Sequence, residues 1–379
     1  MRQFAPVFIV VLGALLLACT QAPRTGSAPQ TSGGTQTSAS SEWDQIVAAA
    51  KREGKVVVVG PQGSDARDAL VEGFQQKYPD IEVDYSGLSG SEVAPKLINE
   101  QAANQHLTDL AITGTTTVIE ALRPADAVVP IKDYLVGPNV RDTSVWRDGK
   151  LNFADDAGQY NLVFSAYVKE AFVYNPTMIA PGEITSYRDL LDSKWRGKIV
   201  FRNPTTPGGG LAAATFFYAT DSLGKDFLGQ LLKQDVVIST DDRQVLDWVA
   251  RGQYPIAFGP SNVLTNEYIE RGLPVKLMSG DNIQEGSYLT AGNGTLAVLR
   301  DVPHPNALKV YLDWLLSKDG QADWTREIGF ASLRRDVPHP NVDPILVPQE
   351  GVEYQANHME SYVKMRSEIV AFIKSVLPQ

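Results

Sequence analysis

Short β-branched runs recur along this chain, and each one leads into a turn rich in glycine and hydroxyl residues and then into an amphipathic helix. Residues 55–59 form such a run, and the helix expected after the next turn has Ala66, Leu70 and Phe74 on one face. A continuous run of this kind is typical of a strand that is buried on both faces of a parallel sheet. The pattern therefore predicts an α/β fold with an open parallel sheet flanked by helices.

The same alternation continues through most of the sequence. A helix is expected over residues 42–53, with Ser41 as its amino-terminal cap, and Pro305 opens another helix that ends near Leu316. The last helix is expected over residues 354–377, where apolar residues recur at helical spacing. The further predicted strands cover residues 81–85, 110–112, 199–201, 236–238, 256–258 and 295–299.

The first residues have the charge and hydropathy order of a bacterial signal peptide. Arg2 precedes an apolar run over residues 7–18, which is shorter than the ~20 residues that a membrane-spanning helix needs. The end of this run and Cys19 read Leu-Leu-Ala-Cys and resemble a lipobox, in which the cysteine is lipidated and the preceding peptide is removed. We expect a signal peptide over residues 1–18 and lipidation of Cys19. A plain secretory signal with a chance cysteine is the alternative.

Residues 19–41 are rich in Ser, Thr, Gly, Gln and Pro and have too little apolar surface to fold. They are expected to form a flexible tether, followed by a folded part that is long enough for two domains. Cys19 is the only cysteine, so an internal disulfide is excluded. The net charge of −10 argues against nucleic-acid binding and against adhesion of the protein surface to anionic lipid.

Three stretches are similar in sequence to bacterial extracytoplasmic solute-binding proteins, and specifically to the ferric-iron-binding-like group. Residues 171–176 resemble the strand that crosses between the lobes of those proteins, and residues 189–200 resemble the start of their second lobe. Residues 305–321 resemble their late pair of helices. The likeness runs in the same order over roughly residues 44–335.

This resemblance implies a type 2 periplasmic-binding-protein fold, with two α/β lobes, each a sheet flanked by helices, and a ligand cleft between them. Lobe one would comprise residues 42–170 and 276–379, and lobe two residues 171–275. Crossing segments near residues 172–174 and 274–277 would act as hinges, so that closure buries a small solute. The resemblance also implies a lipid-anchored, extracytoplasmic monomer on the outer face of the cytoplasmic membrane. It would need no cofactor and would deliver its solute to the permease of an ABC importer.

The turns at the carboxyl ends of the predicted strands are the expected solute site, because ligands of open α/β sheets bind there. Backbone N–H groups at helix starts and nearby hydroxyls suit an anion. Helix capping alone explains any single turn, whereas five turns at equivalent positions of two lobes favour a cleft. The predicted ligand-binding residues are Gly63, Ser64, Ser89, Gly90, Ser91, Thr115 and Thr116 from lobe one, Thr205, Thr206, Gly208, Gly209, Ser261 and Asn262 from lobe two, and Tyr288 near the second crossing.

The residues that ferric binders use are missing from the corresponding turns. The resemblance implies a histidine after the first strand, an acid, and an adjacent tyrosine pair in lobe two. Residues 60–64 contain no histidine, and residues 259–264 contain no tyrosine. Neutral hydroxyls and amides are poor ligands for ferric iron. The sequence therefore predicts no metal site and favours an organic or phosphorylated anion, of the phosphosugar or phosphonate kind. A neutral polar solute and a ferric chelate are the alternatives.

An extracytoplasmic hydrolase is the first rival function, and the sequence does not favour it. Residues 87–91 approach the Gly-x-Ser-x-Gly pattern but have Ser91 in place of the last glycine. Ser361 and Lys364 have a lactamase-like spacing without the companion motifs. We therefore expect no enzymatic activity. A sensor that binds a solute without transporting it is the second rival, and the sequence alone does not separate it from an importer component.

Overall fold

A mixed seven-stranded sheet forms the centre of the first lobe. In this computed structural model, which describes residues 34–88, 90–340 and 342–377, its strand order is β2-β1-β3-β14-β6-β5, and β4 pairs with β14. The side chains of residues 34–41, 90, 91 and 263 are not part of the description. The strands are β1 (Lys55–Pro61), β2 (Glu82–Leu88), β3 (Leu110–Thr113), β4 (Val128–Val129), β5 (Asn152–Phe153), β6 (Leu162–Val163) and β14 (Thr295–Leu299).

The predicted parallel arrangement holds for only part of this sheet. Strands β1, β2 and β3 are parallel, as their buried β-branched runs predict. Strand β14, however, runs antiparallel to β3, β4 and β6. The reason is the chain path, because β14 follows a second sheet in the sequence rather than a crossover helix of its own sheet.

A five-stranded sheet forms the centre of the second lobe, in the order β10-β9-β11-β8-β12. Strands β9, β10 and β11 are parallel, and β8 runs antiparallel to both of its neighbours. The strands predicted near residues 199–201, 236–238 and 256–258 are confirmed to within one residue at their ends. The strands are β8 (Phe172–Tyr174), β9 (Ile199–Arg202), β10 (Val237–Ser239), β11 (Ile256–Phe258) and β12 (Lys276–Met278).

A small three-stranded sheet carries the chain between the two large sheets. It consists of β7 (Tyr167–Val168), β13 (Tyr288–Thr290) and β15 (Gln355–Ala356), in the order β15-β13-β7. Strand β7 leads from β6 to β8, and β13 leads from β12 to β14. The predicted crossing segments near residues 172–174 and 274–277 contain β8 and the start of β12, which pair with each other inside the second sheet. Strand β15 adds a crossing that the sequence did not predict.

Helices cover the faces of both large sheets. Their packed faces match the predicted ones, and Ala66, Leu70 and Phe74 are all buried. A π-helix covers Thr117–Leu122, and short 3-10 helices cover Ile131–Tyr134, Thr143–Val145, Arg147–Gly149, Tyr187–Leu191, Ser193–Trp195, Gly280–Asn282 and Pro344–Leu346. The α-helices are α1 (Gly34–Glu53), α2 (Ser64–Lys77), α3 (Gly90–Ala102), α4 (Pro138–Arg141), α5 (Gly209–Ala219), α6 (Gly224–Leu232), α7 (Asp242–Ala250), α8 (Asn262–Glu270), α9 (Pro305–Leu315), α10 (Lys318–Ile328) and α11 (Glu360–Val376).

Helix α1 begins earlier than the sequence predicts. Ser41 lies inside the helix and does not cap it, because the helix already starts at Gly34, within the segment expected to be a tether. Adding residues to an existing helix requires little free energy even when they are polar, because the unfavourable step is the formation of the first turn of a new helix. The predicted signal peptide, Cys19 and the first part of the tether lie outside the described residues.

Each large sheet has its own hydrophobic core, which is why the chain forms two lobes. The core of lobe one contains Phe74 and Trp314, whose rings lie 5.5 Å apart between centroids. The core of lobe two contains Phe217 and Phe258 at 5.2 Å. Edge-to-face contacts of this kind add to the stabilisation that comes from burial alone. Among the described residues, no helix is long and apolar enough to cross a membrane.

The terminal helix α11 contacts both lobes, although it was expected to belong to lobe one. Ile369 and Ile373 are fully buried in the core of lobe two. At the other end of the helix, the Glu360 carboxylate accepts a hydrogen bond from the Asp156 backbone N–H at 2.7 Å and pairs with Arg123 of lobe one at 3.0 Å. Its apolar contacts therefore lie with lobe two, whereas its contacts with lobe one are polar.

We expect Ile373→Ala to lower the free energy of unfolding by about 2–5 kcal/mol, because it leaves a cavity in the core of lobe two. Val376→Ala is the matched control, since Val376 is only half-buried near the end of the same helix. Urea denaturation followed by tryptophan fluorescence measures both. Equal losses in the two variants would contradict the packing of α11 against lobe two.

Candidate functional site

Three turns of lobe one lie at a common edge of its sheet, because β1, β2 and β3 are parallel and end there. In the first turn, Gly63 and Ser64 are exposed at the start of α2, and the Ser64 hydroxyl donates to the carboxylate of the next residue at 3.0 Å. In the second turn, Ser89 lies outside the described residues and Gly90 begins α3. The side chain of Ser91 is also outside the description.

The third turn of lobe one holds a buried hydroxyl that lacks a hydrogen-bond partner. Thr115 is 5% exposed, and its Oγ1 has no partner in the described part of the chain. The next residue, Thr116, accepts a hydrogen bond from Nη1 of Arg366, which lies on α11. Buried polar groups are normally paired, so an unpaired hydroxyl beside a strand end is a candidate ligand contact.

Tyr288 provides a second unpaired hydroxyl, at the start of strand β13 between the lobes. It is 3% exposed, its phenolic OH has no partner among the described residues, and its ring lies 5.3 Å from that of Phe216. Burial raises the pKa of Tyr288 well above its ordinary value, so the phenol stays protonated at neutral pH. It can therefore donate a hydrogen bond to an anion.

The turns of lobe two also lie at one edge, because β9, β10 and β11 are parallel. In the turn after β9, both the backbone N–H and the hydroxyl of Thr205 donate to Asn203 Oδ1, at 2.9 and 2.8 Å. Thr206 is exposed and makes only a long contact of 3.4 Å with the Asn203 carbonyl. Gly208, with a φ of 140°, and Gly209 then begin α5. The local bonds of Thr205 stabilise the turn, and its oxygen remains able to accept.

Gly209 packs against the turn after β11, and the sequence did not predict this contact. A Cβ atom at this position would lie 2.3 Å from the carbonyl oxygen of Gly259, in the turn after β11. Gly259 has a φ of +74°, and a Cβ there would lie 2.4 Å from the backbone nitrogen of Gly210. The two turns therefore approach so closely that only glycine fits at either position. This contact fixes the relative position of two strand-end turns in lobe two.

Asn262, one of the predicted ligand-binding residues, contacts a buried ion pair. Lys169 and Glu170 follow strand β7, and Lys169 Nζ lies 2.6 Å from Glu170 Oε1. Asn262 accepts a hydrogen bond from Lys169 and donates one to Glu170 Oε2 at 2.7 Å. All three residues are 5% exposed or less. Because both ends of its amide are occupied, Asn262 holds the turn that includes Ser261 against the segment that crosses between the lobes.

Three cationic side chains lie close to these turns, and two of them have a carboxylate partner. Lys169 pairs with Glu170, and Arg202 Nε lies 3.1 Å from Asp242 Oδ1. The same Asp242 oxygen accepts a hydrogen bond from the Ser261 backbone N–H at 3.2 Å. Arg366 has no carboxylate within ion-pair distance in the described part of the chain; besides Thr116, it donates from Nη2 to the Asn357 carbonyl at 3.1 Å.

Arg366 was not among the predicted site residues, because no motif or spacing in the sequence distinguishes it. It lies in a terminal helix, where an arginine next to apolar residues is typical of an ordinary solvated helix face. Its environment depends on two distant segments, the turn after β3 and strand β15, which meet α11 only in the folded chain. Its position in the helix and its proximity to Thr116 make it a candidate site residue.

A surface cavity of about 580 Å³ borders strands β7 and β15, and its lining does not suit an anion. Its lining comes mainly from residues 279–287 and 345–355, and none of the predicted ligand-binding residues takes part. Asp221, Asp281, Glu285 and Glu353 make it acidic. Glu285 is already bound to the Ser186 hydroxyl at 2.6 Å. The strand-end turns therefore remain the better candidate site.

No group of three or more His, Cys, Asp or Glu side chains in the described part of the chain could hold a metal ion. His304 is instead paired with the buried Asp109, with 2.9 Å between Nδ1 and Oδ2. That the protein binds no metal stays a prediction, since tyrosine oxygens also bind ferric iron.

The sequence profile of the bacterial extracellular solute-binding proteins matches residues 60–322, which is more than two thirds of the chain. Together with the two lobes and the turns at their junction, this match shows that the chain belongs to that family, whose members act outside the cytoplasm. No curated protein matches the sequence closely enough to count as a relative.

Solved structures with the same two-lobed type 2 fold confirm the predicted architecture. A Trichodesmium protein called IdiA or FutA, in complex with iron and citrate, has a TM-score of 0.64 at 17% identity, over 85% of this chain and 99% of its own. AfuA from Actinobacillus pleuropneumoniae, with fructose 6-phosphate bound, has a TM-score of 0.60 at 16% identity, over 84% and 96%. HitA from Pseudomonas aeruginosa, with iron bound, has a TM-score of 0.61 at 18% identity, over 85% and 99%.

We expect Gly209→Ala to lower the free energy of unfolding by about 1–3 kcal/mol, because its methyl group would collide with the Gly259 carbonyl. Gly229→Ala is the control, since its Cβ would meet only the ring tip of Phe372, at 3.2 Å, inside helix α6. Thermal denaturation compares the two variants with the unmodified protein. If Gly209→Ala were as stable as Gly229→Ala, the close approach of the two turns would be refuted.

Proposed function

We propose that this chain is the solute-capturing subunit of an ABC importer and that its solute is a small organic or phosphorylated anion. The observation that carries this proposal is a set of hydrogen-bond donors without acceptors where the lobes meet. The hydroxyls of Thr115 and Tyr288 and the Nε of Arg366 are buried and have no partner among the described residues. Donors left unpaired in a protein interior suit a ligand that is rich in acceptor oxygens.

Closure of the lobes would bury the solute between the two rows of strand-end turns. Lobe one contributes the turns that contain Gly63, Ser64 and Thr115, and lobe two those that contain Thr206 and Ser261. The three-stranded sheet β7–β13–β15 would act as the hinge, because the chain crosses between the lobes there. The permease of the importer would then recognise the closed form of the protein. The protein would act as a monomer.

We further propose that binding is not followed by catalysis. The serine–lysine pair that resembles a hydrolase motif has an unsuitable environment for a nucleophile. Ser361 is exposed on α11, and Lys364 pairs with Glu360 at 2.9 Å and with Asp156 at 3.3 Å. A charged lysine in two ion pairs is a poor general base, because both pairs favour its protonated form and raise its pKa.

A panel of candidate solutes tests the anion assignment directly. We expect residues 42–379, refolded to remove any ligand, to be stabilised by inorganic phosphate, fructose 6-phosphate, a phosphonate or citrate. A solute at one hundred times its dissociation constant adds about 2.7 kcal/mol of stability, which thermal denaturation detects. Stabilisation by ferric citrate but not by citrate alone would point to an iron chelate. Stabilisation by neutral sugars alone would contradict the anion assignment.

The second part of the proposal is the membrane anchor at Cys19, which would hold the protein at the outer face of the cytoplasmic membrane. Three acyl chains on the cysteine would make the attachment stable, since one chain alone binds a bilayer only weakly. We expect the unmodified chain, expressed in a bacterium, to sediment with membranes. We expect Cys19→Ser to lose the acyl chains, which mass spectrometry of the intact protein detects.

The control for the anchor experiment is Cys19→Ala in a chain whose signal peptide is replaced by a secretory signal without a cysteine. This variant should appear entirely in the soluble extracytoplasmic fraction. Sedimentation of this control with membranes would mean that something other than a lipid on Cys19 attaches the protein.

A further inference from the structure

We propose that Arg366 of the terminal helix binds the anionic group of the solute and that this contact joins the two lobes. This role rests on the proposed function and deepens it, because it names one residue and one chemical group. The ligand group would be a carboxylate or a phosphoryl group, since a guanidinium donates two parallel hydrogen bonds to either of them.

The first observation in favour of this role is an unbalanced charge. A guanidinium has five N–H donors, and Arg366 uses one at Thr116 Oγ1 and another at the Asn357 carbonyl. Its Nε is buried and has no partner among the described residues. Burying a charge without a counter-ion is unfavourable, and a bound anion would supply that counter-ion.

The second observation is that the surrounding polar groups are neutral donors. Thr115 Oγ1 and Tyr288 OH are unpaired hydroxyls of residues that are 5% and 3% exposed. His358 lies beside Asn357 with an unpaired Nδ1, and burial lowers its pKa to about 4, so its ring is neutral at pH 7. Arg366 therefore supplies the positive charge of this group of residues, and the others can complete the hydrogen bonds of an anion.

The nearest acid does not replace a ligand as the counter-ion. Glu120 lies on the π-helix Thr117–Leu122 and is close enough for Arg366 to lower its pKa, although burial raises that pKa by more. No ion pair forms between Glu120 and Arg366, which therefore remain separated by more than a direct contact. Glu120 is exposed as a whole residue, so its carboxylate is only partly desolvated. Its charge would weaken, rather than strengthen, the binding of an anion at Arg366.

The third observation is that Arg366 lies on a helix packed against lobe two, while its side chain reaches lobe one. The body of α11 packs in the core of lobe two through Ile369 and Ile373, whereas the guanidinium reaches Thr116 of lobe one. An anion held by Arg366 together with Thr115 would therefore connect a helix packed on lobe two to a turn of lobe one. Solute binding would favour the closed arrangement of the lobes for this reason.

The experiment compares Arg366→Gln, Arg366→Lys and Glu120→Gln by isothermal calorimetry with inorganic phosphate and citrate at millimolar concentration. Arg366→Gln should weaken binding of the anion by roughly tenfold to hundredfold, the range for charge-assisted hydrogen bonds to a buried partner. Arg366→Lys should keep the charge but lose the forked geometry, and should weaken binding by an intermediate factor. Glu120→Gln should bind as tightly as the unmodified protein or more tightly.

The melting temperature of each variant without ligand is the folding control, because Arg366 also contacts Thr116. Wild-type affinity in a folded Arg366→Gln variant would overturn the role of Arg366 and leave the proposed function intact. Loss of binding in Glu120→Gln equal to that in Arg366→Gln would mean that the two residues act as a structural pair, which also overturns it. Failure of both anions to bind the unmodified protein would overturn the anion assignment and the role of Arg366 together.

Discussion

The three-stranded sheet β7–β13–β15 is the part of the molecule on which the arrangement of the site depends. It receives one strand from each passage between the lobes and a third from the segment before the terminal helix. The buried pair of Lys169 and Glu170 follows β7 directly and holds Asn262, so this sheet also positions a turn of lobe two. If this sheet acts as the proposed hinge, such contacts would make the turns move together with their lobes.

The balance of charges explains why one place at the junction suits an anion. Lys169 and Arg202 are neutralised by Glu170 and Asp242, and their hydrogen bonds stabilise the turns of lobe two. Arg366 has no such partner among the described residues, and burial lowers its pKa because desolvation disfavours the charged guanidinium. The protein as a whole has a net charge of −10, so the proposed attraction for an anion would have to be local to this site.

Local sequence patterns predicted the strands and the turns after them, because burial of β-branched runs and turn chemistry act over a few residues. The two lobes were implied by the resemblance to solute-binding proteins. The local patterns did not predict the antiparallel β14 or the third crossing strand β15, which depend on how distant segments meet. The site was predicted as a row of turns, whereas the contacts of its individual residues could not be predicted from local patterns. Asn262 begins helix α8 and its amide is bound to the Lys169–Glu170 pair, which the sequence did not predict, and Arg366 carries no local pattern at all.

The central claim is that the native solute is an anion held at the lobe junction. The most direct measurement is mass spectrometry of the small molecules released by acid from the full chain, purified without refolding, combined with its iron content. We expect an organic or phosphorylated anion in near-equimolar amount with little iron. Equimolar iron without such an anion, or an equimolar neutral sugar, would contradict it.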